Sequence, residues 1–273
     1  MLSQGTHTEM LSEHRADAIE IEFFQLTDTG LVREGNEDSV GFWPYGEGIL
    51  FAVADGLGGH NSGEVASKLA LDVLAREMTQ IAATGAVMKH LKGAVQQANL
   101  EIYQKSITVP ELHRMGTTLT ASVVTGSTLV AAHIGDCRLY LLRDGALSQL
   151  TKDHTSVQEQ VEYGILTPEE ARVHPDRHRL TNYVGHDLIT SVDTLKLDIR
   201  AGDMLVQCSD GIYDELSEPE MTELLRKGPE AACRAAVQRS RDAGGVDNMS
   251  MQVAAVISCS ASPSTTSWWR FWR

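Results

Sequence analysis

The sequence has no excess of basic charge: 23 Lys and Arg stand against 37 Asp and Glu, a formal net charge of −14. A nucleic-acid backbone calls for a basic footprint, so that class of main partner is set aside. The 4 cysteines, Cys137, Cys208, Cys233 and Cys259, show no short pairing. That spacing fits neither a disulfide framework nor a zinc knuckle and points to a reducing cytoplasm. No apolar stretch is long enough to span a bilayer, and no basic segment leads into an apolar core at the N-terminus. Neither membrane spanning nor secretion is expected. Also missing are a Pro/Gly-rich break, an internal repeat, and the regular Asp-x-Asp-x-Asp-Gly spacing of a calcium loop.

What is present describes a globular chain. Hydrophobic residues at 42% and charged residues at 22% suffice for a sizeable core. Residues 1–18 are polar and aperiodic and read as a flexible arm; one domain is expected over 19–257. Residues 258–273 read as a Ser/Thr/Pro linker ending in Trp268, Trp269, Arg270, Phe271, Trp272 and Arg273. Trp and Arg together suit a membrane surface or a partner, with a disordered end as the alternative. Helical periodicity is clearest over 63–83, with Val65, Leu69, Val73 and Leu74 on one face, and over 87–103. Strand-like runs at 119–124, 129–134 and 139–142, separated by Thr125-Gly126 and Gly135-Asp136, predict an antiparallel meander. Further strands are expected at 19–26, 191–197, 204–208 and 249–257, with helices near 218–226 and 229–241. Strands and helices in blocks indicate an α+β fold rather than a doubly wound sheet.

The informative pattern is that several apolar strands meet an aspartate at one end. The run 49–54 leads into Asp55-Gly56, 129–134 into Gly135-Asp136, and 204–208 into Ser209-Asp210-Gly211, while Asp247-Asn248 opens 249–257. Brought together, these like charges repel strongly unless a cation neutralises them. A hard divalent ion with oxygen ligands, magnesium or manganese, is the natural occupant. The glycines after Asp55 and Asp210 would let the backbone turn sharply and present a carbonyl. The plain alternative for any single Asp-Gly is a turn.

Several motifs carry a family likeness in order and spacing. They are Arg33 with Asn36-Glu37-Asp38; Val53-Ala54-Asp55-Gly56-Leu57-Gly58-Gly59-His60; Met115-Gly116-Thr117-Thr118-Leu119; Ile134-Gly135-Asp136-Cys137-Arg138; Ser209-Asp210-Gly211; and Asp247-Asn248-Met249-Ser250. Together they resemble the metal-dependent protein phosphatase family, also called type 2C, in its bacterial form. The resemblance implies two stacked antiparallel sheets flanked by helix pairs, and hydrolysis of phosphoserine and phosphothreonine by water activated on two Mn2+ or Mg2+ ions. It implies that Asp55 serves both ions, Asp210 and Asp247 complete one, and Glu37, Asp38 and the Gly56 carbonyl serve the other. Asp136 with Asp210 resembles the family's weaker third site. Arg33 resembles the residue that grips the substrate phosphate, a planar fork of donors matched to phosphoryl oxygens.

His60 is the candidate donor of a proton to the leaving oxygen, with a metal-bound water as the alternative; some members carry histidine where this chain has Leu57. Residues 153–185 resemble the family's flap beside the cleft, and Arg177, His178 and Arg179 within it are candidates to meet phosphopeptide acidity. Cys137 is read as a small buried residue. The partners implied are phosphorylated proteins, substrates of a serine/threonine kinase in cytoplasmic signalling, met by a monomer. A phosphoprotein-binding module without turnover is the competing reading, and it would be supported by lost ligands; none of the expected carboxylates is missing.

Overall fold

The run Ile49-Leu50-Phe51-Ala52-Val53-Ala54 is apolar at every position, so a strand there needs cover on both faces. Four stacked layers supply it. In the computed structural model, which describes residues 7–16, 18–58, 62–79 and 86–260, the first half of the chain forms β1 (His7–Ala16), β2 (Ile19–Asp28), β3 (Asp38–Tyr45), β4 (Gly48–Leu57), α1 (Ser62–Thr79), α2 (Val87–Thr108), β5 (Gly116–Thr117) and β6 (Leu119–Thr125). The second half forms β7 (Thr128–Ile134), β8 (Arg138–Arg143), β9 (Ala146–Gln149), α3 (Ser156–Glu162), α4 (Pro168–Arg172), β10 (Asp193–Asp198), β11 (Met204–Cys208), α5 (Asp210–Tyr213), α6 (Glu218–Leu225), α7 (Pro229–Asp242) and β12 (Met249–Cys259).

One sheet has the order β1-β2-β12-β11-β8-β9 and the other β10-β7-β6-β4-β3, with β5 on the end of β4. Along β4, Leu50, Ala52 and Ala54 face α1 and α2, while Ile49 and Phe51 face the opposite sheet. Along β12, Met251 and Val253 pack toward α7, while Ala254 and Val256 join the layer between the sheets. This is the α+β sandwich expected. Each Leu or Ile sunk in these layers contributes about 2 kcal/mol of transfer free energy. The buried stripe of α1 is Ala66, Ala70, Val73 and Leu74, with the expected Val65 and Leu69 only partly buried at its border. Small alanines let the helix lie close on its sheet.

Two expectations are corrected. Residues 7–16 are not a loose arm but β1, paired along its whole length with β2 from His7↔Asp28 to Ala16↔Ile19. The three runs from 119 to 142 are not one meander: β6 and β7 form a hairpin, but β8 pairs with β9 and β11 in the other sheet. Gly135-Asp136 is therefore a corner between sheets. Gly135 takes it at φ 104°, where an added Cβ would lie 2.6 Å from the Thr118 side chain. The linker and tip, apart from 258–260, lie outside the described residues, as does His60.

The space between the sheets changes character along the strands. Beyond the apolar cluster, Gln252 donates to Gln25 Oε1 (2.8 Å) and to the Gly41 carbonyl (3.0 Å), and Gln207 donates to Ser122 Oγ (2.6 Å). Nearer the end come Thr27 and Ser250, their hydroxyls 2.8 Å apart. This polar seam leads to the aspartates.

His133 on β7 is buried, with Nδ1 2.8 Å from Thr120 Oγ1 and Nε2 3.0 Å from the Lys152 carbonyl. Burial, helped by neighbouring His154, pushes its pKa down to about 4. The unfolded chain takes up a proton near pH 6.5 that the folded protein refuses. Its contribution to stability is thus intact above about pH 6.5 and falls away toward pH 4, by about 3 kcal/mol in full. Urea unfolding at pH 7.5 and pH 5 should show the gap between wild type and His133→Gln narrowing at the lower pH; a constant gap would contradict it.

Candidate metal centre

Each candidate carboxylate sits where a strand ends on the same edge of the sandwich. Asp38 opens β3 and Asp55 lies near the end of β4, the two being direct partners in register. Asp210 follows β11, Asp136 sits on the corner after β7, and Asp247 precedes β12. The structure brings all five together: burial first, then the charges of Asp38, Asp210, Asp136 and Asp247, push Asp55 well above the usual carboxylate range. Asp136 is raised well above that range by burial, with Asp210 and Asp153 adding. Asp38 is pushed up to about 7, chiefly by burial and against the hydrogen bond that Ser209 donates to its Oδ2 at 2.7 Å.

The main chain fits round this cluster without slack. Asp55 N–H donates to Thr118 Oγ1 (2.8 Å), and its carbonyl accepts from Thr117 Oγ1 (2.8 Å) and Thr118 N–H (2.8 Å). Gly56 N–H donates to the Glu37 carbonyl (3.1 Å), which also accepts from Ser67 Oγ (2.6 Å). The glycines after the aspartates serve close approach, not the turns expected of them: neither has a positive φ. A Cβ on Gly56 would lie 2.1 Å from the Gly63 carbonyl oxygen, and one on Gly211 would lie 2.1 Å from that of Asn248. Asp55-Gly56 continues β4, and Asp210-Gly211 opens α5. Cys137, 1% exposed, accepts a hydrogen bond from Thr118 Oγ1 at 3.1 Å. Burial and then the adjacent aspartates push its thiol well up, so it stays protonated.

The donor set fits divalent cations. Two buried carboxylate oxygens, Asp38 Oδ1 and Asp210 Oδ1, have no hydrogen-bond partner. Buried acceptors left unpaired are costly, and a cation satisfies them. Ligand atoms of Asp136, Asp210 and His178 also lie within 4.8 Å of one another. A positive charge is already drawn there: His178 Nδ1 lies 3.3 Å from Asp210 Oδ2 and Nε2 lies 3.2 Å from Asp214 Oδ2. Those two hydrogen bonds push its pKa up to about 10.

Arg33, half exposed, donates to Asp247 Oδ2 at 2.8 Å, so the phosphate candidate stands at the rim beside the acids. Glu37 is partly buried beside Gly63, its pKa raised by burial. The flap residues differ from expectation: Arg177 Nε pairs with Asp214 (3.3 Å) and His178 joins the acidic cluster, leaving Arg179 exposed. Both flap helices follow local rules. Thr155 caps α3 by accepting from Gln158 N–H, and Thr167 and Glu170 form a capping box on α4 with Pro168 in its first turn. A cavity of about 550 Å³ opens beneath the flap, between Val157 and Val173 on one side and Arg138 and Tyr213 on the other.

In the sequence Asn248 is part of a motif but carries no evident role, and His154 and Asp214 belong to none of the motifs. Asn248 donates to the carbonyls of Thr29 (2.8 Å) and Gly35 (3.0 Å) and accepts from Glu37 N–H (2.8 Å). Its place between Asp247 and an apolar strand was the available signal. Asp214 follows one helical turn after Asp210, its N–H bonded to the Asp210 carbonyl at 2.9 Å.

Comparison with known proteins agrees with this architecture. A profile described as protein phosphatase 2C matches residues 27–238. The serine/threonine protein phosphatase PstP of Mycobacterium tuberculosis is 42% identical over 234 residues, covering 85% of this chain but 44% of PstP. The serine/threonine phosphatase stp of Listeria monocytogenes is 35% identical over 231 residues, covering 82% of this chain and 92% of the relative. This chain thus spans under half the length of its mycobacterial relative and nearly all of the listerial one. Among solved structures, the M. tuberculosis PstP/Ppp phosphatase superposes with a TM-score of 0.80 at 39% identity, covering 87% of this chain and 99% of that one. A structure of the PstP catalytic domain in complex with 2 manganese ions gives a TM-score of 0.76 at 38% identity, covering 87% and 98%. By profile, relatives and fold alike, this chain belongs to the protein phosphatase 2C family.

Proposed function

We propose that the chain is a Mn2+- or Mg2+-dependent protein serine/threonine phosphatase. The observation that carries this reading is the convergence of five aspartates with two buried, unpartnered carboxylate oxygens at one end of the sandwich. The serine/threonine phosphatase activity for which the relatives are named and the manganese-bound neighbour support it. Asp55, Asp210, Asp247, Glu37, Asp38 and the Gly56 carbonyl are the residues that would hold two ions, and Asp136 with Asp210 a weaker third. When bound, such ions activate water and offset charge on phosphoryl oxygens.

The remaining roles belong to side chains. Arg33 turns its fork from Asp247 to the substrate phosphate and fixes its orientation. His60 is assigned the proton for the leaving serine or threonine oxygen, on the ordinary pKa of imidazole alone. The flap with Arg177, His178 and Arg179 borders the cleft where a phosphoprotein would lie. The catalytic domain is taken as 19–257 together with β1, which completes its sheet, with phosphorylated proteins made by a serine/threonine kinase as substrates and the cytoplasm as its place. No helix among the described residues is long and apolar enough to cross a membrane.

The test is manganese-dependent release of phosphate from a phosphothreonine peptide, run beside a nucleic-acid substrate; no release, or release without metal, would refute the reading. Arg33→Ala is expected to lower kcat/KM by about 10- to 100-fold, the worth of a charge-assisted hydrogen bond of about 1.5–3 kcal/mol. Arg33→Lys should recover little of it, because an ammonium lacks the fork. Wild-type kcat/KM in Arg33→Ala would remove its phosphate role.

A further inference from the structure

His154 stands behind the acidic cluster, yet it is bonded to both segments that deliver residues to it. Its N–H donates to the Gly135 carbonyl at 2.8 Å, and its ring Nδ1 accepts from Gly135 N–H at 3.1 Å. Gly135 immediately precedes Asp136, and its φ of 104° places it against Thr118. The corner that aims Asp136 is therefore gripped by Thr118 on one side and by His154 on the other. The His154 carbonyl in turn accepts from Thr181 N–H at 2.8 Å, on the return of the flap just after His178. The next residues continue that zipper, with Thr155 bridged to Leu180 and Ser156 N–H donating to the Arg179 carbonyl at 2.9 Å. With Nδ1 occupied as an acceptor, the ring proton resides on Nε2, which faces Asp193 Oδ2 at 3.3 Å.

We propose that His154 is a positioning residue that sets the spacing between Asp136 and the flap residue His178, and so tunes the affinity of the Asp136–Asp210 pocket for a divalent cation. The physical reason is that one residue fixes both walls: its ring and amide hold the Gly135 corner, and its carbonyl holds the flap. A side chain that orients a ligand from behind commonly governs metal affinity by about 10- to 100-fold. The proposal rests on the phosphatase reading for what the pocket serves, but its consequences for the flap are independent of turnover.

The decisive comparison uses two near-isosteres. An asparagine oxygen reaches the place of Nδ1, whereas a glutamine oxygen reaches the place of Nε2. Manganese titration by calorimetry should find the weaker binding step loosened about tenfold or more in His154→Gln and His154→Ala, and largely restored in His154→Asn. Hydrogen exchange over residues 174–182, measured on metal-free protein, should quicken in the first two variants and not in the third. Wild-type titration and exchange in folded His154→Gln would overturn the proposal, and so would His154→Asn behaving like His154→Gln. If His154→Ala does not fold, the Asn/Gln pair still decides. A wild-type chain that hydrolyses no phosphopeptide would defeat the phosphatase reading and leave these two measurements to judge His154.

Discussion

Asp55→Asn is expected to abolish turnover while raising the melting temperature of the metal-free protein. Asp55 meets the fields of Asp38, Asp210, Asp136 and Asp247 at once, and burial and their combined repulsion lift its pKa well above normal. An amide of the same shape removes one charge from that set, which relieves repulsion wherever no cation is present. Each kcal/mol relieved is worth about 2–4 °C in a domain of this size. The same substitution weakens the ions' hold, and their contribution of several kcal/mol to the transition state corresponds to a rate loss on the order of 10³-fold or more. Calorimetric melts with and without manganese, beside a phosphopeptide assay, check both halves: wild type should gain stability from the metal and Asp55→Asn should not. Near-wild-type turnover by the folded variant would sink the metal assignment, and a lowered metal-free melting temperature would sink the repulsion argument.

Asn248→Ala should be among the most damaging changes outside the carboxylates. One side chain, 4% exposed, ties Thr29, Gly35 and Glu37 to the loop that carries Asp247. Removing it strands two carbonyls and an amide, at a cost of roughly 3 kcal/mol or more. It also frees the segment bearing Arg33 and Glu37, and displacement of a positioned group by about 1 Å can cost on the order of 10²-fold in kcat/KM. Asn248→Asp should be no better, because a carboxylate oxygen would then face two carbonyl oxygens. Urea unfolding and kcat/KM would show it, and a mild loss in both would mean that the loop is held by other means.

The strands and their terminal aspartates were legible because both signals are local: apolar runs of strand length, each closed by an acid. Even β11 and β12 came out with nearly their observed limits. Less legible was β1, an edge strand whose Glu9, Leu11 and Glu13 share one exposed face and whose only strand neighbour in the sheet is β2. β3 was hidden by Gly41 and Pro44, which argue against a strand unless an edge position removes the need for every N–H. The corner at Gly135 looked like a hairpin turn because nothing local says that β8 will pair with β11, more than sixty positions further along. The same holds for the supports of the site. Asn248 meets partners 219, 213 and 211 positions away, and His178 reaches Asp210 across the flap. Such partners are set by the closure of the whole sandwich, which no window of sequence contains.

The polar seam between the sheets has a consequence for how the chain can vary. At the Ile21, Phe51 and Val256 end, contacts are non-directional, so swaps that conserve volume should be absorbed at under about 1.5 kcal/mol each. At the Gln25, Gln207 and Gln252 end, the amide groups of Gln207 and Gln252 donate to Ser122 Oγ, Gln25 Oε1 and the Gly41 carbonyl, and a change in one leaves another without its partner. Mutational tolerance should therefore fall steadily along every central strand, from the greasy end to the acidic one. A saturation scan of β12 alone would trace that slope, permissive at Val256 and restrictive by Ser250, before it reaches any residue that touches a metal or a phosphate.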